Sequence, residues 1–250
     1  MPSFKDHFSK QSDIYLRYRP HYPTEMYAYL ASLTQGHELV WDCGTGNGQA
    51  ATGLASFYSK VIATDPSAQQ IGNAIQHPKV SYKVEPAEHS SLPDHCANMV
   101  TVANAMHWFH LDAFYAEVRR VLKPGGILAA WCYAVPAITL EVDKITAHLH
   151  DDILGSYWRY ENTLVVEEYR TIPFPFFEVE APQFYSEREM TFEDIIGYLN
   201  TWSAVQRYMA ENGNNPVDAI SEDLKLTWGK HDNLQTVRWK LVLKVGKVGI

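Results

Sequence analysis

The feature that most constrains the fold is a regular alternation of short apolar runs and helix-like runs between residues 38 and 133. Apolar runs rich in β-branched residues that alternate with helical patterns are typical of βαβ units around a parallel sheet. The alternation predicts strands at 38–43, 61–65, 80–84, 98–103 and 126–133. It predicts helices at 49–58, 67–76 and 111–122. The sequence therefore predicts a doubly wound α/β sheet.

The segments that flank this alternation are less regular. The chain begins with an irregular arm and one helix, which Pro23 opens and Gly36 closes. Later segments predict helices at 138–154 and 161–170, a strand at 176–185, helices at 191–209 and 216–228, and a closing strand around 237–243. We expect one domain over residues 1–250, made of the arm and helix (1–36), a core (37–135), a helical lid after the fifth strand (136–172) and a C-terminal part (173–250).

The composition limits the classes of partner. The chain has 250 residues, a net charge of −8 and no block of lysine and arginine. Nucleic acids and anionic membranes are bound by neutralising many phosphates, so neither is an expected partner. Three dispersed cysteines and a polar N-terminus predict a cytoplasmic protein. The histidine spacings do not match a zinc site, so no metal is expected, and the choice between monomer and dimer stays open.

A glycine loop at 42–48, with the sequence Asp-Cys-Gly-Thr-Gly-Asn-Gly, follows the first predicted strand. Glycines there let the backbone turn sharply and approach a ligand, although a plain tight turn is the alternative. Asp42 would repel a phosphate and suits an ammonium group. Asp65 ends the second strand, where a carboxylate can accept both hydroxyls of a ribose. Ribose beside an ammonium describes S-adenosylmethionine better than a nicotinamide cofactor.

Five motifs in order carry a resemblance to a known family. They lie at 42–48, 61–67, 86–88, 103–109 and 120–126. Together they resemble the class I S-adenosylmethionine-dependent methyltransferases. More narrowly, they are similar to the small-molecule branch of type 11 methyltransferases, with its trans-aconitate methyltransferase-like and plant embryo-abundant-like proteins. The arm at 15–23 and the turn at 201–203 also resemble that branch.

The resemblance implies a Rossmann-like sheet of seven strands, with the last strand antiparallel, and it assigns cofactor contacts. The methionine part is expected at Asp42, Gly44, Gly46, Asn104 and Ala105, the ribose at Asp65 with Pro66 beside it, and the adenine at Ala87 and Glu88. Pro86 replaces an aspartate that many relatives have, which leaves Glu88 as the expected side-chain contact to adenine. Tyr15 and Arg19 can bind the cofactor's carboxylate, with a surface ion pair as the alternative for Arg19.

His107, Trp108 and Trp202 are the candidate catalytic residues. Methyl transfer from a sulfonium depends mostly on alignment and exclusion of water, and a carboxylate acceptor needs no base. His107 follows the fourth strand and is the best-placed group for a base or a substrate hydrogen bond, with a structural role as the alternative. Trp131, Tyr133 and Trp202 are expected to face the pocket, and His150 is expected to be solvated or in the core.

The expected function is transfer of a methyl group from S-adenosylmethionine to a small molecule, at a carboxylate or hydroxyl oxygen. One alternative is a non-catalytic protein of the same fold that binds S-adenosylmethionine or is associated with stress. A nicotinamide-dependent oxidoreductase is disfavoured, because Asp42 precedes the loop and Gln49 replaces the third glycine of that fingerprint.

Overall fold

The protein is built around one mixed β-sheet, described here from a computed structural model that covers residues 18–133, 135–230 and 232–249. Its strands are β1 (Leu39–Cys43), β2 (Lys60–Asp65), β3 (Val80–Val84), β4 (Ala97–Ala103), β5 (Leu122–Tyr133), β6 (Phe177–Glu178), β7 (Phe184–Met190) and β8 (Gln235–Lys247). The strand order is β3-β2-β1-β4-β5-β8, and both β6 and β7 pair with β8. The first five strands are parallel, and β8 is antiparallel to β5.

This topology confirms the predicted α/β fold with seven principal strands and an antiparallel last strand, to which the two-residue β6 is added. Strands β1 and β4 are buried almost throughout, as continuous apolar runs predict for parallel strands covered on both faces. The predicted strand at 176–185 is wrong in its bounds. Its place is taken by β6 and β7, with Pro182 between them, which lacks the N–H that a continuous ladder needs.

Helices cover both faces of the sheet. They are α1 (Thr24–Ser32), α2 (Gln49–Leu54), α3 (Ala68–Gly72), α4 (Leu111–Val121), α5 (Leu140–Ala147), α6 (Tyr160–Val166), α7 (Phe192–Asn200), α8 (Ser203–Asn212) and α9 (Asp218–Trp228). One core includes Leu30, Leu54 and Trp239, and the core on the opposite face includes Phe114 and Val118. No helix within the described ranges has the length and apolar character to cross a membrane.

A helical lid follows β5, as predicted. It consists of α5, a π-helical turn at His148–Ile153, a 3₁₀ turn at Gly155–Tyr157 and α6. The helix predicted at 191–209 is divided into α7 and α8, because Trp202 is extended and its ring is buried. Tertiary packing of this one side chain overrides a helical sequence pattern.

Candidate functional site

A cavity of about 530 Å³ lies at the carboxyl ends of the parallel strands. The glycine loop after β1, the end of β2 and the loop after β4 form one side of it. The lid, the α7–α8 turn and Arg19 form the other side. Ligands of open α/β sheets bind at this edge, where loops from neighbouring strands meet.

The glycine loop lines one side of the cavity, and two of its glycines have different roles. Gly44 and Gly46 both have positive φ angles, of 67° and 56°. A Cβ atom on Gly44 would lie 2.8 Å from the Cβ of Ala105, so this glycine permits close packing between two loops. A Cβ atom on Gly46 would meet no atom within 4 Å, so this glycine faces open space that a ligand can occupy.

Asp42 lies behind the glycine loop, and the structure does not bring its side chain into the cavity lining. Its carboxylate accepts hydrogen bonds from the hydroxyls of Thr45, at 2.5 Å, and Thr101, at 2.7 Å. Burial raises the pKa of Asp42 to about 6. The contact between Asp42 and an ammonium group stays a prediction. In this structure Asp42 holds the loop through Thr45.

The raised pKa of Asp42 predicts a specific dependence of stability on pH. A carboxyl whose pKa is about 6 in the folded state and 3.8 in its ordinary state binds more protons when folded. Its contribution to the free energy of unfolding is fully present below pH 3.8. That contribution falls as the pH rises from this value through about 6, by about 3 kcal/mol in total. We expect Asp42→Asn to remove this loss.

Urea unfolding of the ligand-free wild type and Asp42→Asn between about pH 4 and pH 7 measures the effect. The free energy of unfolding of the wild type is expected to fall relative to that of the variant as the pH rises. Asp112→Asn, at an exposed position of α4, controls for the change in net charge. A difference between wild type and Asp42→Asn that does not change with pH would show that the Asp42 carboxyl does not titrate in this way.

Asp65 joins the end of β2 to the glycine loop. Its carboxylate accepts hydrogen bonds from the backbone N–H groups of Gly46 and Ser67, both at 2.9 Å. Asp65 and Pro66 line the cavity. The structure thus places the expected ribose contact beside the open space above Gly46.

The two remaining groups of expected cofactor contacts line the same side. Ala87 and Glu88 form one group, and Glu88 accepts a hydrogen bond from the backbone N–H of His110 at 2.9 Å. Asn104 and Ala105 form the other group. Asn104 has a positive φ of 53°, and its Oδ1 atom is buried with no hydrogen-bond partner within the described residues.

Arg19 lines the cavity on the lid side. Its guanidinium donates to the Tyr133 hydroxyl, at 3.1 Å, and to the Thr201 carbonyl, at 3.0 Å. It also lies over the Tyr198 ring, at 5.4 Å from the ring centroid. Arg19 therefore lines the cavity from a fixed position, whereas Tyr15, its expected companion, lies outside the described residues.

His107, Trp108 and Trp202 all line the cavity. Burial lowers the pKa of His107 to about 3. Its Nδ1 atom is 2.8 Å from the hydroxyl oxygen of Tyr169, a buried residue of the lid. The Trp108 ring lies 5.0 Å from the His107 ring, between centroids. The cavity therefore holds a histidine that is uncharged at neutral pH.

Four aromatic side chains form a continuous surface on the lid side, which we call the aromatic wall. It consists of His150, Trp158, Tyr198 and Trp202. The Trp158 and Trp202 rings are 5.6 Å apart, and His150 lies 4.6 Å from Trp158. The Trp158 indole N–H donates to the His150 carbonyl at 3.0 Å, which fixes its orientation.

Most of this wall was not predicted from the sequence. His150 was expected to be solvated or in the core, whereas it lines the cavity. The concentration of aromatic residues after β5 was the available signal, but the pattern does not show which rings face inward. Trp131 is a further correction, because it is fully buried and Tyr22 covers it, with the ring centroids 5.3 Å apart.

Comparisons with known proteins agree with this geometry. Residues 41–130 match a family model described as a methyltransferase domain. A Dictyostelium discoideum protein whose name assigns it to the methyltransferases is 33% identical, over 88% of this chain and 86% of that protein. A solved structure from Anaeromyxobacter dehalogenans, assigned to the type II methyltransferases, is 38% identical with a TM-score of 0.87, over 92% of this chain and 98% of that one. A Saccharomyces cerevisiae protein assigned as an S-adenosylmethionine-dependent methyltransferase is 27% identical, over 50% of this chain and 46% of that protein.

Proposed function

We propose, from the premise that this chain belongs to the class I S-adenosylmethionine-dependent methyltransferases, that it methylates a small molecule at a carboxylate or hydroxyl oxygen. Family membership makes S-adenosylmethionine the cofactor, as the sequence predicted. The nature of the acceptor is the part that we propose.

The residues of the glycine-loop side fit the cofactor. Gly46 leaves open space, Asp65 offers a carboxylate beside it, and the buried Asn104 Oδ1 atom is an acceptor that a bound ammonium or hydroxyl group can satisfy. When bound, S-adenosylmethionine supplies a methyl group that its sulfonium has already activated. The protein's own contribution is then to fix both reactants in line and to exclude water.

The aromatic wall is the observation that carries the proposal for a small acceptor. It faces the same cavity as the glycine loop, and its rings offer a flat apolar surface that an organic molecule can contact. The cavity volume of about 530 Å³ is in the range of small-molecule sites. Arg19, beside the wall, supplies a positive charge that suits a carboxylate of the cofactor or of the acceptor.

Incubation with S-adenosylmethionine labelled in its methyl group tests the proposal. We expect the label to enter the small-molecule fraction of a metabolite extract, and only with active protein. Alkaline treatment then separates the two acceptor classes, because methyl esters of carboxylates hydrolyse and methyl ethers of hydroxyls do not. Label confined to protein or nucleic acid would contradict a small acceptor, and cofactor binding without any methylated product would favour the non-catalytic alternative.

Trp158→Leu tests the assignment of the aromatic wall once the acceptor is known. Loss of a stacking surface is worth roughly 1 kcal/mol, so we expect kcat/KM for the acceptor to fall about fivefold. Binding of S-adenosylhomocysteine is expected to be unchanged, since Trp158 lies on the lid side. Tyr160→Leu is the matched control, because Tyr160 is exposed and does not line the cavity. Equal effects of the two substitutions would refute the role of the wall.

A further inference from the structure

We propose that His107 donates a hydrogen bond from Nε2–H to an oxygen of the methyl acceptor, in a tautomer that Tyr169 fixes by occupying Nδ1. The inference rests on the proposed function and narrows the acceptor to an organic acid. It assigns His107 as a donor where the sequence left a base or a hydrogen-bonding role open, and it assigns Tyr169 as a positioning residue.

The tautomer follows from the hydrogen-bond requirements of a buried phenol. The Tyr169 side chain is fully buried. Among the described residues, the hydrogen-bond partner of its hydroxyl is Nδ1 of His107, at 2.8 Å. Because a buried O–H needs an acceptor, we infer that Nδ1 accepts this hydrogen bond. If Nδ1 carried a proton instead, the buried phenol O–H would have no acceptor, and an unsatisfied buried donor is unfavourable.

Two contacts hold the segment after α6 that carries Tyr169. Tyr169 and Glu168 both have positive φ angles, of 55° and 56°, which is unfavourable for residues other than glycine. The Tyr169 N–H donates to the Leu164 carbonyl at 2.8 Å, and Glu168 pairs with Lys240 of β8 at 2.7 Å. The backbone is therefore strained at Glu168 and Tyr169, beside the contact between Tyr169 and His107.

The other ring nitrogen, Nε2, is the one that His107 can offer to the cavity it lines. Burial lowers the pKa of the ring to about 3, so the ring is neutral at physiological pH. A group with so low a pKa is a weak base, and the nitrogen that faces the ligand already carries a proton. His107 is therefore suited to donate a hydrogen bond and unsuited to remove a proton.

A carboxylate acceptor matches such a site. It accepts the Nε2–H hydrogen bond, whereas an ammonium group there would leave this donor unpaired. In the transfer, a carboxylate oxygen forms the new C–O bond while the methyl C–S bond of the donor breaks. The electron pair of that bond stays on sulfur, which becomes a neutral thioether, and the carboxylate becomes a neutral ester. No proton moves, so no base is required.

Nitrogen-15 NMR of the imidazole rings tests the tautomer in the complex with S-adenosylhomocysteine. The signals of His107, one of 11 histidines, are identified by their loss in His107→Gln. We expect a pyridine-like Nδ1 and a pyrrole-like Nε2, with no titration between about pH 5 and pH 8. In Tyr169→Phe we expect the tautomer preference to weaken, a change that a merely structural role would not cause. A protonated Nδ1, or titration in this range, would overturn the inference.

Binding of benzoate to the same complex tests the class of acceptor. Benzoate combines a flat ring with a carboxylate, and benzylamine is its cationic counterpart. We expect benzoate to shift the Nε2 signal and benzylamine to leave it unchanged. His107→Leu is expected to weaken benzoate binding about tenfold, whereas His107→Gln, whose amide retains an N–H donor, is expected to lose less than about threefold.

The outcomes separate this inference from the proposed function. Failure of the wild type to bind S-adenosylhomocysteine would refute the cofactor site and with it the proposed function. Normal cofactor binding without benzoate binding, or equal losses in the leucine and glutamine variants, would overturn the inference about His107 alone.

Discussion

Asp65→Ala is expected to weaken binding of S-adenosylhomocysteine about 100-fold. A hydrogen bond to a charged group contributes about 1.5–3 kcal/mol, and a carboxylate at the end of β2 can accept one from each ribose hydroxyl. Loss of both corresponds to at least about two factors of ten in affinity. Isothermal titration calorimetry measures the change directly.

Two further variants separate loss of the ribose contact from general damage. Asp65→Asn retains one acceptor oxygen and is expected to lose about tenfold in affinity. Asp112→Ala makes the same change from aspartate to alanine at an exposed site on α4 and is expected to bind normally. If Asp65→Ala bound S-adenosylhomocysteine as tightly as the wild type, the cofactor would not lie against β2.

Gly46→Asn is expected to weaken S-adenosylhomocysteine binding at least about 30-fold with little loss of stability. Asparagine tolerates the positive φ of 56° at this position, and its side chain would enter space where a Cβ atom meets nothing within 4 Å. That space is where the cofactor is expected to lie. The added side chain would therefore clash with the bound cofactor but not with neighbouring protein atoms.

Gly213→Asn is the matched control for this substitution. Gly213 also has a positive φ, of 75°, and a Cβ atom there also meets nothing within 4 Å. It ends α8 at an exposed position that does not line the cavity. Both variants are expected to unfold at similar temperatures, but only Gly46→Asn is expected to lose affinity. Undiminished affinity in Gly46→Asn would mean that the cofactor does not pass over the glycine loop.

The cofactor side of the cavity could be predicted because its determinants are local. Gly46 follows one strand that the apolar pattern marks and Asp65 ends the next, and the carboxyl ends of adjacent parallel strands share one edge. Two short motifs that are distant in sequence thus become neighbours by topology alone. The order of the strands then follows from the family that the motifs resemble.

The acceptor side could not be predicted in the same way, because it depends on how the lid packs. Tyr169 and His107 are 62 positions apart, and no periodicity connects them. Trp202 interrupts a helical pattern to bury its ring, and His150 lies in a π-helical turn. For Asp42, the sequence predicted the position at the strand end but not the direction of the side chain, which points to Thr45 and Thr101.

A crystal structure of the complex with S-adenosylhomocysteine is the most direct test of where the two reactants bind. We place the cofactor on the glycine-loop side of the cavity and the acceptor beside the aromatic wall. We predict the ribose hydroxyls on Asp65, the adenine beside Ala87 and Glu88, and the sulfur directed toward the space between His107 and the aromatic wall. That space would then be the site of the acceptor. A cofactor bound elsewhere, or one whose sulfur faces away from His107 and the wall, would contradict the account.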